Sequence, residues 1–202
     1  MSSAKSSRAK TSRPTGGRLR IVAGSLRGSR LDVPDKPGLR PTPDRVRETL
    51  FNWLAPIVNG ARCLDLFAGT GALGIEALSR GASSCVFVER DAQLARAIEA
   101  NLERLKITNA SVRSGDALAM PIEGGQRFDL VFLDPPFDAN LWDAAIARFA
   151  TGSALGDTAW IYIESPATLV PEVPKEWSMH REGRSGAVRH ALYRRTAADP
   201  LS

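Results

Sequence analysis

Apolar runs and amphipathic stretches alternate through the middle of the chain. Runs typical of buried strands occur at Arg62–Leu66, Cys85–Val88, Ala110–Arg113, Phe128–Leu133 and Ala159–Glu164. Three stretches among them have the periodicity of helices, at Ala72–Arg80, Ala92–Leu105 and Leu141–Phe149. Because strands that alternate with helices form parallel sheets covered on both faces, this pattern predicts an α/β fold.

Both ends of the folded segment predict antiparallel hairpins. Leu19–Ala23 and Ser29–Val33 are strand-like and enclose a glycine-bounded loop, and Trp177–Arg181 and Ala187–Arg194 enclose a second loop at residues 182–186. A helix that begins at Pro43 or Asp44 follows the first hairpin, and its apolar face is formed by Val46, Leu50, Leu54 and Val58. The predicted architecture is a Rossmann-like, mainly parallel seven-stranded sheet with a C-terminal antiparallel hairpin and an N-terminal β-hairpin extension.

The positive charge of the chain is concentrated at its N-terminus. The 202 residues carry a net charge of +5, but six Lys or Arg and no acids occupy the first twenty positions, so the remainder carries −1. Residues 1–18 are therefore predicted to be a disordered basic tail. We expect one domain at residues 19–195, with the hairpin and an R-P-T segment at 19–42 and the Rossmann-like core at 43–195, followed by a tail at 196–202. Without a membrane-spanning stretch or a signal-peptide pattern, a cytoplasmic location is expected.

A glycine-rich loop follows the first apolar run. The sequence D-L-F-A-G-T-G occupies residues 65–71, and Gly69, Gly71 and Gly74 match the G-x-G-x-x-G spacing of dinucleotide-binding loops. A dinucleotide places its pyrophosphate at the helix N-terminus, where a carboxylate at Asp65 would repel it. S-Adenosylmethionine has no phosphate, and its ammonium group can interact with Asp65. The loop therefore favours S-adenosylmethionine as the cofactor.

Further acids follow the neighbouring strand-like runs. Glu89 ends the second run and can accept both ribose hydroxyls, and Asp116 follows the third run at the level of the adenine amino group. Ligands of open parallel sheets bind beyond the carboxyl ends of the strands, so these acids, Asp65 and Asp134 are expected to converge on one crevice. The predicted cofactor-binding residues are Asp65, Phe67, Gly69, Gly71, Glu89 and Asp116.

The tetrapeptide Asp134-Pro135-Pro136-Phe137 closes the fourth run. The amino nitrogen of guanine or adenine is a weak nucleophile, because its lone pair is delocalised into the ring. The Asp134 carboxylate and the Pro135 carbonyl can accept its two N–H groups and aim the lone pair, while the prolines stiffen the turn. Phe137 offers a stacking face. All four residues are predicted to be catalytic, in methyl transfer from S-adenosylmethionine to the exocyclic nitrogen of a base.

Cysteine and metal chemistry are not indicated. Cys63 and Cys85 both lie inside apolar runs, far from the D-P-P-F motif, so no thiolate is available for a carbon-5 pyrimidine methyltransferase. His180 and His190 lie in the C-terminal segment without metal-ligand spacing. We therefore expect no metal site.

Five stretches carry a resemblance to a known family. They are R-I-V-A-G at residues 20–24, L-R-P-T at 39–42, R-V-R-E at 45–48, D-L-F-A-G-T-G-A-L-G-I-E-A at 65–77, and D-P-P-F at 134–137. With them the chain resembles, from about Leu19 to Arg195, the bacterial small-subunit ribosomal RNA guanine-N2 methyltransferases, which have the class I S-adenosylmethionine-dependent methyltransferase fold. Near the C-terminus, His190 and Ala191 depart from the family pattern, which has a more aromatic strand there.

The resemblance implies a substrate and residues that bind it. It implies methyl transfer to N2 of one guanine of 16S ribosomal RNA, in an assembling or assembled small subunit, as a step of ribosomal RNA processing and ribosome biogenesis. Arg40, Thr42 and Arg45 would line the mouth of the site, and Arg20 and Arg27 of the N-terminal hairpin are further candidates for substrate binding. We expect the enzyme to be a monomer.

Other functions share parts of this pattern. An adenine-N6 methyltransferase of DNA or RNA shares the D-P-P motif, although the chain has little room for a target-recognition region. A methyltransferase of protein amides or small amines also fits. A non-enzymatic RNA-binding assembly factor would require the acids of the crevice to be incidental, and binding of S-adenosylmethionine would argue against it.

Overall fold

A two-stranded hairpin precedes a seven-stranded sheet in the computed structural model, which describes residues 17–36, 39, 42–121, 125–150 and 153–196. Strand β1 (Gly17–Arg20) pairs antiparallel with β2 (Arg30–Val33). The elements that follow are α1 (Asp44–Leu54), β3 (Arg62–Asp65), α2 (Ala72–Ser79), β4 (Ser84–Glu89), α3 (Ala92–Arg104), β5 (Ala110–Ser114), β6 (Phe128–Leu133), α4 (Trp142–Ala150), β7 (Leu155–Pro166), β8 (Trp177–Ser185) and β9 (Val188–Thr196).

The main sheet has the strand order β5-β4-β3-β6-β7-β9-β8. Neighbouring strands from β5 to β7 are parallel, and β9 pairs antiparallel with both β7 and β8. The predicted α/β class, with its mainly parallel sheet and two hairpins, is confirmed. The direction of strand addition reverses between β3 and β6, and the carboxyl ends of strands at such a switch point border a crevice in which ligands bind.

Alternate side chains of the strands pack into two separate cores. On one face of the sheet, side chains such as Phe87 and Phe132 share a core with residues of α1, α2 and α3. On the other face, side chains such as Val86 and Val131 share a core with α4. Helices therefore cover both faces. Cys63 and Cys85 lie next to each other in the first core, as paired positions of β3 and β4, and both are buried free thiols.

Several boundaries near the N-terminus differ from the sequence prediction, and β1 ends at Arg20 although the strand was predicted to continue to Ala23. Strand β1 begins at Gly17, so Arg18 belongs to the hairpin and not to the predicted tail, and it forms an ion pair with Asp32 across the two strands, at 3.6 Å. Helix α1 ends at Leu54, although Val58 was predicted to continue it. Pro56 lacks the amide hydrogen that another helical turn requires, which accounts for the earlier end. Residues 1–16 and 197–202 lie outside the described residues.

The C-terminal hairpin is longer than the sequence predicts. Strand β8 continues to Ser185, through most of the loop predicted at residues 182–186. Gly183 was interpreted as a turn residue, but it faces the buried ring of His190, and a Cβ atom at this position would lie 2.5 Å from the histidine Nε2. Glycine is therefore required here for close packing, and the chain reverses at Gly186, where φ is +58°.

Candidate active site

The glycine-rich loop brings the N-terminus of α2 to the carboxyl end of β3. Gly71 precedes the helix in the left-handed region, with φ of +74°, which favours glycine. Gly74 lies against β4, and a Cβ atom there would be 2.7 Å from the Cys85 Sγ. The loop and the first turn of α2 therefore fit tightly against the sheet.

Asp65 is the last residue of β3 and lies at the N-terminus of α2. Only 2% of its surface is exposed, and its Oδ2 accepts the amide hydrogen of Gly74 at 3.1 Å. Burial raises its pKa to about 7; the Gly74 hydrogen bond opposes this shift, and the negative charge of Glu89 adds to it. The carboxylate takes up the helix amide that a pyrophosphate would need. A cofactor with cationic groups fits beside this acid better than a dinucleotide does.

Glu89 connects the glycine-rich loop to the end of β4. Its Oε2 accepts the amide hydrogen of Gly69 at 2.7 Å, and its Oε1 accepts that of Asp91 at 2.8 Å. An ionised carboxylate has about four acceptor positions, so two remain for ribose hydroxyls. Asp116 lies nearby, because the amide of Gly115 donates to the Glu89 carbonyl at 2.9 Å. The Asp116 side chain is exposed and accepts the amide hydrogen of Leu118 at 2.8 Å.

The D-P-P-F motif begins at the residue after β6. Asp134 is partly exposed and Pro135 is buried, whereas Pro136 and Phe137 are exposed. Desolvation raises the pKa of Asp134 well above the ordinary aspartate value, and the charges of Glu164 and Asp65 raise it further. Within the described part of the chain, neither the Asp134 carboxylate nor the Pro135 carbonyl has a hydrogen-bond partner. Both acceptors are thus available to a substrate.

Glu164 is an acid of the site that the sequence prediction missed. Leu133 pairs with Ile163, so Asp134 and Glu164 follow side by side on neighbouring parallel strands. The buried Glu164 carboxylate accepts the Tyr162 hydroxyl at 2.7 Å and the Thr42 hydroxyl at 3.2 Å. The sequence did contain a signal for this residue, because Glu164 is an acid at the end of the apolar run Ala159–Glu164. The buried Thr42 hydroxyl donates inward and supports Glu164, while its role as a substrate contact stays a prediction.

Trp142 supports the exposed Phe137 ring and was also missed. The two ring centroids are 5.8 Å apart, with an interplanar angle of 54°. The Trp142 indole N–H donates to the Glu164 carbonyl at 2.7 Å, which ties the start of α4 to β7. Phe137 is 37% exposed and can present its free face to a base. Phe67, predicted near the cofactor, is partly buried beside the second core.

The segment between β2 and α1 contacts several strand ends along the crevice. Lys36 forms an ion pair with Asp91, which follows β4. Leu39 lies close to the glycine-rich loop, since a Cβ atom on Gly69 would be 3.7 Å from its Cδ1. Together with the Thr42 contact to β7, these interactions attach the N-terminal extension to the same edge of the sheet that carries the acids.

The predicted substrate-binding arginines do not form one group. Arg45 is exposed on the first turn of α1, and Arg20 lies 3.6 Å from the Asp44 carboxylate at the start of that helix. Arg27 belongs to a loop that is fixed to Ser79, at the opposite end of α2 from the glycine-rich loop. Eight helical residues separate the two ends by about 12 Å, so Arg27 does not share the crevice. Arg40 lies outside the described residues.

The described residues contain neither a metal-binding cluster nor a membrane-spanning helix. Among the described residues, no group of three or more His, Cys, Asp and Glu side chains is arranged to hold a metal ion. In the same part of the chain, no helix combines the length and apolar character needed to cross a membrane.

Comparison with known proteins identifies relatives of this chain. The family model described as conserved hypothetical protein 95 matches residues 19–194. A ribosomal RNA small subunit methyltransferase D of Escherichia coli strain K12 is 47% identical over 182 residues, which cover 90% of this chain and 92% of that protein. The protein of the same name from Haemophilus influenzae is 42% identical over 88% of this chain and 94% of its own length.

Solved structures share the fold of this chain. A structure from Escherichia coli described as a methyltransferase (yhhF) superposes with a TM-score of 0.82 and 46% identity, over 90% of this chain and 99% of that one. A structure from Haemophilus influenzae described as a methylase (HI0767) superposes with a TM-score of 0.77 and 39% identity, over 89% of this chain and 99% of that one.

Proposed function

The chain belongs to the family of the small-subunit ribosomal RNA methyltransferases, and on that premise we propose that it transfers a methyl group from S-adenosylmethionine to N2 of a guanine in 16S ribosomal RNA. The observation that carries the proposal is the pair of available acceptors, the Asp134 carboxylate and the Pro135 carbonyl, at the switch point of the sheet. They match the two N–H groups of an exocyclic amine. We place the reaction in the cytoplasm, on an assembling or assembled small subunit.

The crevice residues divide the binding of the cofactor among them. Asp65 would interact with the ammonium group, Glu89 with the ribose hydroxyls and Asp116 with the adenine amino group, while Gly69 and Gly71 let the loop approach the methionine part closely. Phe67 would lie beside the adenosine. When bound, the cofactor supplies an electrophilic methyl group on a sulfonium, so the protein need not activate the donor. The protein's task is to align the acceptor nitrogen.

The D-P-P-F motif would position the guanine and receive its proton. Asp134 and Pro135 accept the two N2 hydrogens, so that the nitrogen lone pair points out of the ring plane toward the methyl carbon. Once the methyl group is transferred and a neutral thioether remains, the amine nitrogen would carry the positive charge and a surplus proton. The raised pKa of Asp134 suits it to accept the proton that the methylated nitrogen then loses. Phe137 stacks on the base, and Pro136 restricts the turn.

The test is transfer of labelled methyl to unmodified small ribosomal subunits, followed by nucleoside analysis. Naked 16S ribosomal RNA and duplex DNA are run in parallel, with Asp134→Ala as the inactive control. We expect label in N2-methylguanosine from the particle, and no transfer by the variant despite retained cofactor binding.

Each alternative outcome has a definite meaning. Label in N6-methyladenine or in DNA would overturn the assignment of the base while leaving the role of the motif in place. Cofactor binding without label in any nucleic acid would favour a protein amide or small amine as substrate. Absence of cofactor binding would favour a non-enzymatic role in subunit assembly.

A further inference from the structure

We propose that the exposed part of the sheet face formed by β7, β9 and β8, on the side of α1, binds the single-stranded RNA that adjoins the target guanine. The inference rests on the proposed function and extends it to the C-terminal hairpin, for which the cofactor and base sites provide no role. The residues that carry it are Trp160, His180, Arg181 and Arg194, here called the β7–β9 platform.

The platform is centred on one partly exposed indole ring. Trp160 of β7 pairs in register with Arg194 of β9, and the guanidinium carbon of Arg194 lies 5.8 Å from the ring centroid. His180 lies edge-on to the same indole, with ring centroids 4.9 Å apart. A register shift in β8 between Met179 and Arg181 accommodates this histidine. Single-stranded RNA is commonly bound by stacking of its bases on aromatic rings and arginine planes.

The platform also carries positive charge that the protein does not neutralise. Arg181 and Arg194 are both exposed and have no ion-pair partner among the described residues, whereas Arg18, Arg62 and Arg127 are each paired with an aspartate. The acids of β7, β8 and β9 do not oppose this charge. Glu164 is buried, Asp157 is ion-paired with Arg127, and Glu182 is ion-paired with Arg189 on the opposite face. Unpaired arginines next to an aromatic ring match a phosphate backbone with unstacked bases.

The platform lies within reach of the methyl-transfer site. Trp160 is four positions before Glu164 on β7, which corresponds to about 13 Å at about 3.3 Å per residue. That is about the rise of four stacked nucleotides, at about 3.4 Å each. His190 of β9 lies directly across from Glu164, and its ring stacks on the partly exposed Trp53 with centroids 5.5 Å apart. The buried Nδ1 of His190 has no hydrogen-bond partner in the described part of the chain. Tyr162 and Leu192 are fully buried on the face between Trp160 and Glu164, so a strand of RNA that leaves the D-P-P-F motif would reach the platform over the partly exposed ring of Trp53.

The stacked pair of Trp53 and His190 joins α1 to the same face of the sheet as the platform. The buried His190 imidazole presents a flat ring to Trp53, whose own ring is partly exposed. Burial and the charge of Arg189 lower the pKa of His190, which favours the neutral ring. Toward the active site, the platform is thus continued by the stacked rings of Trp53 and a neutral His190, without an additional positive charge.

The test compares arginines on the two faces of one hairpin. The variant Arg181→Ala/Arg194→Ala removes the two charges of the platform, and Arg184→Ala is the matched control, because Arg184 is an exposed arginine of β8 on the opposite face. Steady-state transfer to unmodified small subunits and binding of naked 16S ribosomal RNA are measured over a range of salt concentrations. We expect the double variant to raise KM for the particle about tenfold with kcat within twofold, and to lower the salt slope of RNA binding by about 1.4. The Arg184→Ala variant should match the wild type.

Three outcomes would overturn the inference separately from the proposed function. An unchanged KM in the double variant, with an active wild type, would exclude the platform, as would an equal effect of Arg184→Ala. A raised KM on particles with unchanged binding of naked RNA would indicate a contact with a ribosomal protein instead. If the wild type itself transfers no methyl to ribosomal RNA, the proposed function fails. Arg194→Glu, with cofactor affinity as the folding control, should raise KM more than Arg194→Ala.

Discussion

The acids at the carboxyl edge of the sheet differ in the hydrogen bonds that their carboxylates accept from the protein itself. Asp65 is buried against a helix amide, and Glu89 accepts two loop amides, whereas the Asp134 carboxylate has no internal hydrogen bond in the described structure. The first two acids therefore shape the loop as well as a ligand site. Asp134 is available for the substrate, and its replacement tests catalysis with the least damage to the fold.

Replacement of Asp134 by Asn is expected to reduce kcat about 10²- to 10³-fold, the usual effect of losing one positioned group. The amide keeps the size of the side chain but replaces one acceptor oxygen with a donor that opposes the guanine N–H. The dissociation constant of S-adenosylhomocysteine, measured by calorimetry, should change less than twofold. Asp138→Asn is the control, since Asp138 is an exposed acid four residues along the same loop. Full activity in Asp134→Asn would contradict the proposed positioning of the amine.

Protonation of Asp65 is expected to weaken cofactor binding below pH 7. The pKa of about 7 means that Asp65 holds a proton in the free protein at lower pH, whereas a cationic cofactor binds the ionised carboxylate and lowers this pKa. The dissociation constant should therefore rise as the pH falls from 7 to 5.5, by up to tenfold per pH unit. Above pH 7 this group adds no pH dependence.

Calorimetric titration of S-adenosylhomocysteine between pH 5.5 and pH 7 measures this effect. The Asp65→Asn variant should bind more weakly and lose the pH dependence that Asp65 causes. If the wild type and the variant showed parallel pH profiles, another group would be responsible.

At the level of the elements, one buried acid joins the N-terminal extension to the core. Glu76 of α2 accepts the backbone amides of Val22 and Ala23 at 2.8 and 2.9 Å, Arg47 of α1 at 3.4 Å, and Arg80 at 2.9 Å. Glu76 and Arg47 have no exposed surface. The R-V-R-E motif at residues 45–48 and the glycine-rich motif at residues 65–77 are thus joined by a buried ion pair. This pair gives both motifs a structural role that requires no ligand.

Replacement of Glu76 by Ala is expected to lower the free energy of unfolding by about 3–5 kcal/mol. The variant leaves the Arg47 guanidinium buried without its acid and leaves two backbone amides unpaired. Urea unfolding followed by circular dichroism measures the change. Glu48→Ala, an exposed acid of α1, should stay within about 0.5 kcal/mol of the wild type. A loss below 1 kcal/mol in Glu76→Ala would mean that α1 and the hairpin are held mainly by apolar packing.

The sequence predicted most strands of the parallel sheet well, because buried strands depend on local patterns. Runs such as Phe128–Leu133 have the same bounds in the structure, since apolar continuity and flanking turn residues define a buried strand. Glu76 and Glu164 were not recognised, because their roles depend on partners 53 and 122 residues away in the chain. Gly183 was misinterpreted for a similar reason, since His190 across the hairpin is what requires a glycine there.

At the scale of the whole molecule, the candidate site is assembled from distant parts of the chain. The loops after β3, β4, β5 and β6 supply its acids, and Lys36, Leu39 and Thr42 attach the N-terminal extension to the same edge. An unfolded or partly folded chain cannot present this arrangement. A ligand of the crevice should therefore stabilise the entire fold.

S-Adenosylhomocysteine at 100 times its dissociation constant is expected to stabilise the protein by about 2.7 kcal/mol. For a domain of this size that corresponds to a rise in Tm of about 5–10 °C. Differential scanning fluorimetry measures the shift, and NAD at the same concentration is the comparison ligand. NAD should cause no shift, because Asp65 takes up the helix amide that a pyrophosphate requires. Equal stabilisation by NAD would reinstate the dinucleotide interpretation of the glycine-rich loop.

The two neighbouring thiols of β3 and β4 are a natural chemical probe of how often the sheet opens. Burial and the nearby carboxylate of Asp65 raise the pKa of both Cys63 and Cys85, so almost no thiolate forms while the sheet is intact. They are the only cysteines of the chain and lie in two central strands. At reagent concentrations high enough for modification to outpace closing of the sheet, the rate at which a water-soluble disulfide reagent modifies the two thiols is therefore the rate at which these strands separate.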